Sequence, residues 1–294
     1  MQMNKKHNTS LAMLVCSMLL FGTIGVFRKF LPLPSGALAC ARGFLGGLFL
    51  LVFVLIRRKG LHIHFEKKPF WLLVLSGAFL GLNWILLFES YNYTSVAVAT
   101  LCYYMEPTIV ILLSPLFFRE KLDIRKIVCV MVSLVGVVLV SDITKVSSFA
   151  FRDLKGVLLG LGAASLYSAV VIMNKKNPVE DAYGKTIVQL LSAGVILLPY
   201  VFALEPVGSI VWSMPVVLTL LFVGIVHTGI CYAMYFGSMN QLKAQTVAVM
   251  SYIDPVFAIV LSALVLREVI SGTTILGAVF ILGAAVCMDL GGRD

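Results

Sequence analysis

Residues 103–122 read YYMEPTIVILLSPLFFREKL, and residues 250–270 read MSYIDPVFAIVLSALVLREVI. Slid over itself by 148 positions, the chain superposes the two stretches without a gap: Tyr104 meets Tyr252, Glu106 meets Asp254, Pro107 meets Pro255, Ser114 meets Ser262, and Arg119–Glu120 meets Arg267–Glu268. Each stretch is a run of about 20 largely apolar residues, long enough to cross a bilayer core of roughly 30 Å at about 1.5 Å per residue. The same offset works upstream, where Gly81 falls on Gly229, Phe88 on Phe236 and Ser90 on Ser238. At 146 or 147 positions, Leu20–Phe21 meets Leu166–Tyr167 and Arg42 meets Gln189. Chance alignment of membrane segments matches Leu with Val; it does not pair an acid before proline and an Arg-Glu dipeptide at one offset. The chain is a duplicated set of apolar segments.

Composition agrees. Of 294 residues, 60% are hydrophobic and 13% charged, and mean hydropathy is +1.00. Soluble domains carry roughly 25% charged residues, so a water-facing surface is out of reach. Ten spans are expected at 10–28, 35–56, 70–91, 94–118, 124–141, 154–173, 182–204, 214–238, 243–266 and 272–290. Pro32 and Pro34 interrupt the first connection, Pro69 opens the third helix, and Asp123, Asp153, Asp181 and Ser271 stand where N-caps belong. The first run follows Lys5 and Lys6 but lacks a clear small-residue cleavage site, so it reads as a helix and not a signal peptide.

The net charge of +9 is a topology signal before it is a nucleic-acid signal, because the basic residues sit between the spans. With the N-terminus inside, 16 Lys and Arg fall in inner connections and six in outer ones. This positive-inside bias puts both termini in the cytoplasm and the chain in the cell membrane as a multi-pass protein. Five spans per half is an odd number, so the second half enters the membrane from the opposite side. The expected fold is all-α and integral to the membrane, with ten transmembrane helices in two inverted five-helix repeats. Residues 1–141 form the first repeat, 142–153 a linker and 154–294 the second. Many secondary transporters use this arrangement to expose a central site to alternate faces.

Both quoted segments, with FESYNYTSVAVATL at 88–101, resemble the EamA family of the drug/metabolite transporter superfamily. The resemblance covers essentially the whole chain in two copies. It implies ten helices around a central cavity, lined mainly by helices three, four, eight and nine, and transport, often export, of small metabolites or amphipathic compounds.

The candidate site residues follow from depth and residue type. Glu106 and Asp254 lie about 12 and 11 residues into their spans, near the midplane, where an acid costs on the order of 3 kcal/mol to insert and usually faces the bundle interior. Pro107 and Pro255 donate no backbone hydrogen bond, so the carbonyls of Tyr103 and Ser251 lose their usual partners. A carboxylate beside a spare carbonyl suits a cationic group or a proton; the alternative is that the prolines only kink helices and the acids satisfy neighbouring hydroxyls or Arg42. Arg42 is expected to pair with Glu89 or Glu106, with a substrate carboxylate and snorkelling as its other readings. Glu89 reads equally as a gate or cavity residue and as an interfacial acid. Asn83, Trp84, Phe88, Tyr91, Tyr103 and Tyr104 cluster on helices three and four, with Tyr232, Tyr235 and Tyr252 in the matching half. Aromatics near helix ends read as an interfacial belt, and those beside a midplane carboxylate, Tyr103, Tyr104, Tyr252 and Trp84, as a cation–π wall. His227 is the one histidine within a span; it reads as a hydrogen-bonded packing residue, with a proton relay as the alternative.

Other features read blandly. The Arg119–Glu120 and Arg267–Glu268 pairs tie down turns, or else form a gating bridge. Gly43 with Gly47, and Gly156 with Gly160, have the spacing of close helix packing, which leaves a homodimer open. All six cysteines fall inside apolar runs with no CxxC spacing and read as packing residues. His62 and His64 beside Glu66 lack further ligands, so no metal is expected. No GxSxG, HExxH or P-loop pattern is present, so the chain is read as no enzyme, with no catalytic residues and no cofactor. The expected function is secondary active transport of a small metabolite, amino acid or amphipathic or cationic compound, with protons as a candidate coupling ion and the lipid bilayer as its setting. A membrane-embedded enzyme or a scaffold is the alternative.

Overall fold

In lipid, backbone polar groups must be satisfied within the segment that carries them, and the apolar runs respond by forming helices. The computed structural model describes residues 2–57, 67–119, 124–140, 151–179, 181–239, 242, 247 and 250–291, and its elements among these are all helical. They are α1 (Gln2–Gly22), α2 (Ile24–Phe30), α3 (Ser35–Ile56), α4 (Lys67–Tyr93), α5 (Val96–Tyr103), α6 (Glu106–Phe118), α7 (Ile124–Val140), α8 (Phe151–Lys176), α9 (Ala182–Leu204) and α10 (Met214–Leu221). A π-helical segment (Phe222–Ile230) then leads into α11 (Cys231–Met239), followed by α12 (Ile253–Leu264) and α13 (Gly272–Gly291).

Among the described residues, seven helical stretches are long and apolar enough to cross a membrane: His7–Phe30, Ser35–Ile56, Lys68–Tyr93, Val96–Phe118, Arg152–Lys176, Ala182–Leu204 and Met214–Ser238. The predicted spans 124–141, 243–266 and 272–290 appear as the shorter apolar helices α7, α12 and α13. The sequence-predicted linker 142–153 lies mostly outside the described residues, as do Asp123, Glu120, His62, His64 and Glu66.

Local chemistry sets the helix ends. Asp181 accepts from Tyr183 N at 3.0 Å and Ser271 Oγ from Thr274 N at 3.1 Å, as expected of N-caps. Asp153 is different: α8 starts earlier, at Phe151, and places Asp153 in its first turn, where a carboxylate still faces the positive end of the helix. Arg119 and Arg267 end α6 and follow α12 with left-handed φ values of 58° and 54°. Two arginines 148 positions apart thus share a conformation that L-residues rarely adopt.

Between helices in lipid there is no hydrophobic driving force, so close backbone approach matters. A Cβ on Gly43 would lie 2.7 Å from Gly194 N and Leu190 O, which locks α3 against α9. Gly47 meets Leu191, Gly156 meets Thr94 and Gly160 meets Cys102, so these glycines are spent on packing within the chain. On α7 the side chains of Ile124, Ile127, Val128, Met131, Val135 and Val138 are exposed, at the three- and four-residue spacing of one helix face. An apolar stripe facing outward, with Cys129, Ser133, Gly136 and Val137 buried behind it, belongs against lipid.

Candidate functional site

A cavity of about 360 Å³ lies where the interrupted helices meet. Helical spacing aims its walls. Met18, Phe21 and Ile24 come three apart from α1 and α2, as do Trp84 and Leu87 from α4 and Tyr232 and Tyr235 from α11, while Tyr167 and Val171 come four apart from α8. Arg42, Tyr103, Tyr104, Glu106, Ser251 and Asp254 complete the lining.

The prolines explain why the two acids stand where they do. Pro107 offers no N–H to the Tyr103 carbonyl and its ring crowds the preceding turn. The helix therefore stops at Tyr103, turns through Tyr104 and Met105, and restarts at Glu106. Asp254–Pro255 repeats this, with α12 starting at Ile253 after a turn at Tyr252. No side chain caps either restart. Both carboxylates thus occupy the first turn of a helix that begins inside the bundle, where unpaired N–H groups and the helix dipole favour negative charge.

The Tyr104 hydroxyl donates to Asp254 Oδ2 at 2.7 Å. Its ring stands edge-on to Tyr103 at 6.1 Å, and Tyr103 lies 5.7 Å from Tyr167. The Glu106 backbone carbonyl accepts from Ser168 Oγ at 3.1 Å. Arg42 departs from expectation. Its guanidinium sits 4.4 Å over the Trp84 ring and 5.2 Å from that of Phe88, and its Nε donates to Thr228 Oγ1 at 3.1 Å. It pairs with neither Glu89 nor Glu106. Glu89 is engaged elsewhere, accepting from Ser35 Oγ at 2.8 Å and from Asn92 Nδ2 at 3.0 Å, while Arg28 reaches the same Ser35 hydroxyl at 3.1 Å.

The lining pairs off along the sequence offset. Trp84 and Tyr232, Leu87 and Tyr235, Tyr103 and Ser251, and Glu106 and Asp254 are each 148 apart, and all eight border the cavity. Phe21 and Tyr167, 146 apart, border it too.

Comparison with known proteins accords with this pairing. The pattern that defines the EamA-like transporter family matches residues 8–142 and, a second time, residues 154–288. The chain belongs to that family. An uncharacterized transporter of Bacillus subtilis (strain 168), YxxF, is 31% identical to this EamA-family chain over 260 residues, which make up 88% of the chain and 82% of the relative. An uncharacterized transporter of Archaeoglobus fulgidus is 25% identical over 276 residues, 94% of each protein. A crystal structure superposes with a TM-score of 0.68 at 20% identity, covering 97% of this chain and 98% of that one; the likeness is one of fold. This EamA-family chain is a multi-pass membrane transporter.

Four sequence-predicted candidates of this EamA-family member lie off the cavity. Tyr252 packs with Cys129, Ala284 and Ala285. Asn83 is buried and donates to the Ala163 carbonyl at 2.6 Å. His227, in the π segment, hydrogen-bonds through Nε2 to Thr23 Oγ1 and lies between the Phe27 and Phe222 rings. Glu89 belongs to the Ser35 cluster. Among the cavity residues not singled out as site candidates are Phe21 and Tyr167, which the 146-residue offset already pairs.

One end of the bundle is tied by polar contacts between the two halves. Glu268 accepts from Val96 N at 2.9 Å and from the Ser262 hydroxyl, and lies 4.0 Å from Lys29 Nζ. Lys29 Nζ also donates to the Tyr91 carbonyl.

Proposed function

We propose that this protein is a secondary transporter that carries a small metabolite, amino acid or amphipathic amine by alternating access, in the direction of export, with proton exchange at Asp254 or Glu106. The observation that carries the reading is the cavity whose lining residues come in pairs 148 apart, with an acid of each half at the start of an interrupted helix. Half-helix ends aimed at a central site are a recurring device for binding charged substrates and coupling ions. On this reading, residues 1–141 and 154–294 are inverted five-helix repeats, ten helices in all, rocking about the cavity. Both termini face the cytoplasm of the cell membrane, as the bias of basic residues requires.

The chemistry is a competition. The aromatic wall of Trp84, Tyr103, Tyr167 and Tyr232 accepts a cation or an aromatic ring, and an ionised Asp254 or Glu106 balances the positive charge. A proton arriving at the same carboxylate neutralises it and releases the cation. Cation binding therefore weakens as pH falls through the titration of that acid, and protons drawn down their gradient expel substrate.

The test is transport by purified protein in proteoliposomes, with ³H-tryptophan and ¹⁴C-tyramine as aromatic zwitterion and aromatic amine. An imposed pH gradient is expected to drive accumulation, and Asp254→Asn or Glu106→Gln to make transport independent of the gradient. Wild-type transport indifferent to pH, with Glu106→Gln and Asp254→Asn at full rate, would sink the coupling.

A further inference from the structure

Asp254 borders two spaces, and Glu106 only one of them. Beyond the main cavity lies a second space of about 40 Å³, bounded by Asp254, Tyr104, Tyr91, Thr100 and Ala258, with Gly22 and Gly25 behind them. A space of this size admits water, which needs two to four polar partners. The Asp254 carboxylate, the Tyr104 hydroxyl and the Tyr91–Thr100 hydroxyl pair, whose oxygens are 3.4 Å apart, supply them. Backbone holds the space small: a Cβ on Gly22 would lie 2.8 Å from the Asp254 carbonyl oxygen, and one on Gly25 would lie 2.4 Å from Val96 Cγ1. The space is roughly one-ninth the size of the main cavity, 40 against 360 Å³. Past Tyr91 and Val96 stand the Lys29 and Glu268 contacts at the tied end of the bundle.

We infer that Asp254 exchanges its proton through this small space, by way of one water positioned by Thr100 and Tyr91, while substrate meets the same carboxylate from the main cavity. The inference rests on the proton-coupled reading given above. In the step itself, the O–H bond of the protonated Asp254 breaks as the water takes the proton. The water passes one of its own protons to the Tyr91–Thr100 hydroxyl pair, which gives up one proton in turn toward the Glu268 carboxylate at the tied end. The hydroxyls thus end neutral and the Asp254 carboxylate is left ionised; no co-reactant is consumed. The titratable and charged groups that face Asp254 or share its cavity are Tyr91, Tyr103, Tyr104, Tyr167, Cys231, Glu106, Arg42, Tyr232 and Tyr235. Helix α1 and the start of α2 present only Phe21, Gly22, Ile24 and Gly25 to this space. Two carboxylates thus divide the work: Asp254 couples, and Glu106 serves the main cavity alone.

Thr100→Val and Tyr91→Phe test this, since each deletes one hydroxyl and keeps the shape. Proteoliposomes carrying wild type or variant are assayed with ³H-tryptophan and ¹⁴C-tyramine in two modes. Counterflow at equal pH needs no net proton movement, whereas accumulation under a pH gradient does. Both variants are expected to keep counterflow within about twofold of wild type and to lose about fivefold or more of gradient-driven accumulation. Equal loss in both modes assigns the hydroxyls a merely structural role and overturns the inference, as does full retention of both. Wild type that performs counterflow but ignores the gradient overturns the coupled reading beneath it, a different result from either variant outcome.

Discussion

The Tyr104 hydroxyl donates to Asp254 Oδ2 at 2.7 Å, whereas its counterpart Tyr252 packs among Cys129, Ala284 and Ala285. A carboxylate of the second half is therefore held by a tyrosine of the first. Tyr104→Phe removes a hydrogen bond that joins α5 to α12, worth about 0.6–2 kcal/mol between membrane helices. It is expected to lower tyramine affinity about threefold to tenfold and to reduce the unfolding temperature in detergent. Unchanged tyramine affinity in Tyr104→Phe would show that this hydrogen bond does not hold the carboxylate for an amine.

Arg42 is a buried cation that stacks on Trp84 and bonds Thr228, with no carboxylate at ion-pair distance among the described residues. A substrate carboxylate is the natural complement to its charge at the cavity wall. Arg42→Met is expected to weaken tryptophan binding by about tenfold or more while tyramine, which lacks a carboxylate, loses less than about threefold. Arg42→Lys keeps the charge but not the planar stacking on Trp84, and falls between the two. Isothermal titration of the purified variants with both probes checks this order.

Much of this was legible in the sequence. Apolar runs gave the helices because length and composition alone decide whether a segment tolerates lipid, and the 148-residue offset paired Glu106 with Asp254 and Tyr104 with Tyr252 from the residues alone. The partner of Arg42 was not legible. An arginine among aromatics can be stabilised by a ring face as well as by a carboxylate, and only the rotation of α3 against α4 decides which is near. The placement of Tyr252 was hidden for the same reason: beside a proline the helix turns, and one residue of rotation moves a side chain about 100° around the axis. Nor does any residue pattern in Phe222–Ile230 announce a π segment, which brings His227 to Thr23 instead of into the cavity.

At the tied end of the bundle, the Glu268 carboxylate receives the Val96 N–H and the Ser262 hydroxyl and lies 4.0 Å from Lys29. The hydrogen bonds are expected to outweigh the ion pair, because Lys29 is partly exposed and screened there. Glu268→Ala leaves buried donors without an acceptor and costs about 1–3 kcal/mol. Lys29→Met removes the charge and the hydrogen bond to the Tyr91 carbonyl at a partly exposed site, and costs about 1 kcal/mol or less. Thermal unfolding in detergent at low and high salt separates them, with the Glu268→Ala loss persisting at high salt.

The last prediction concerns two glycines six residues apart on α13. A Cβ on Gly277 would lie 2.6 Å from the Gly136 carbonyl oxygen and 2.5 Å from Val140 Cγ2, so α7 and α13 must separate to admit it. Backbone cannot swing aside as a side chain can, and overpacking of this kind costs about 1–3 kcal/mol. A Cβ on Gly283 meets nothing within 4 Å. There alanine only restricts the unfolded chain and favours the helix, a gain of about 0.5–1 kcal/mol. The same substitution on the same helix should therefore change stability in opposite directions: Gly277→Ala lowers the unfolding temperature and Gly283→Ala raises it. If both move it the same way, the close approach of α7 to α13 at Gly136 is not what holds this pair together.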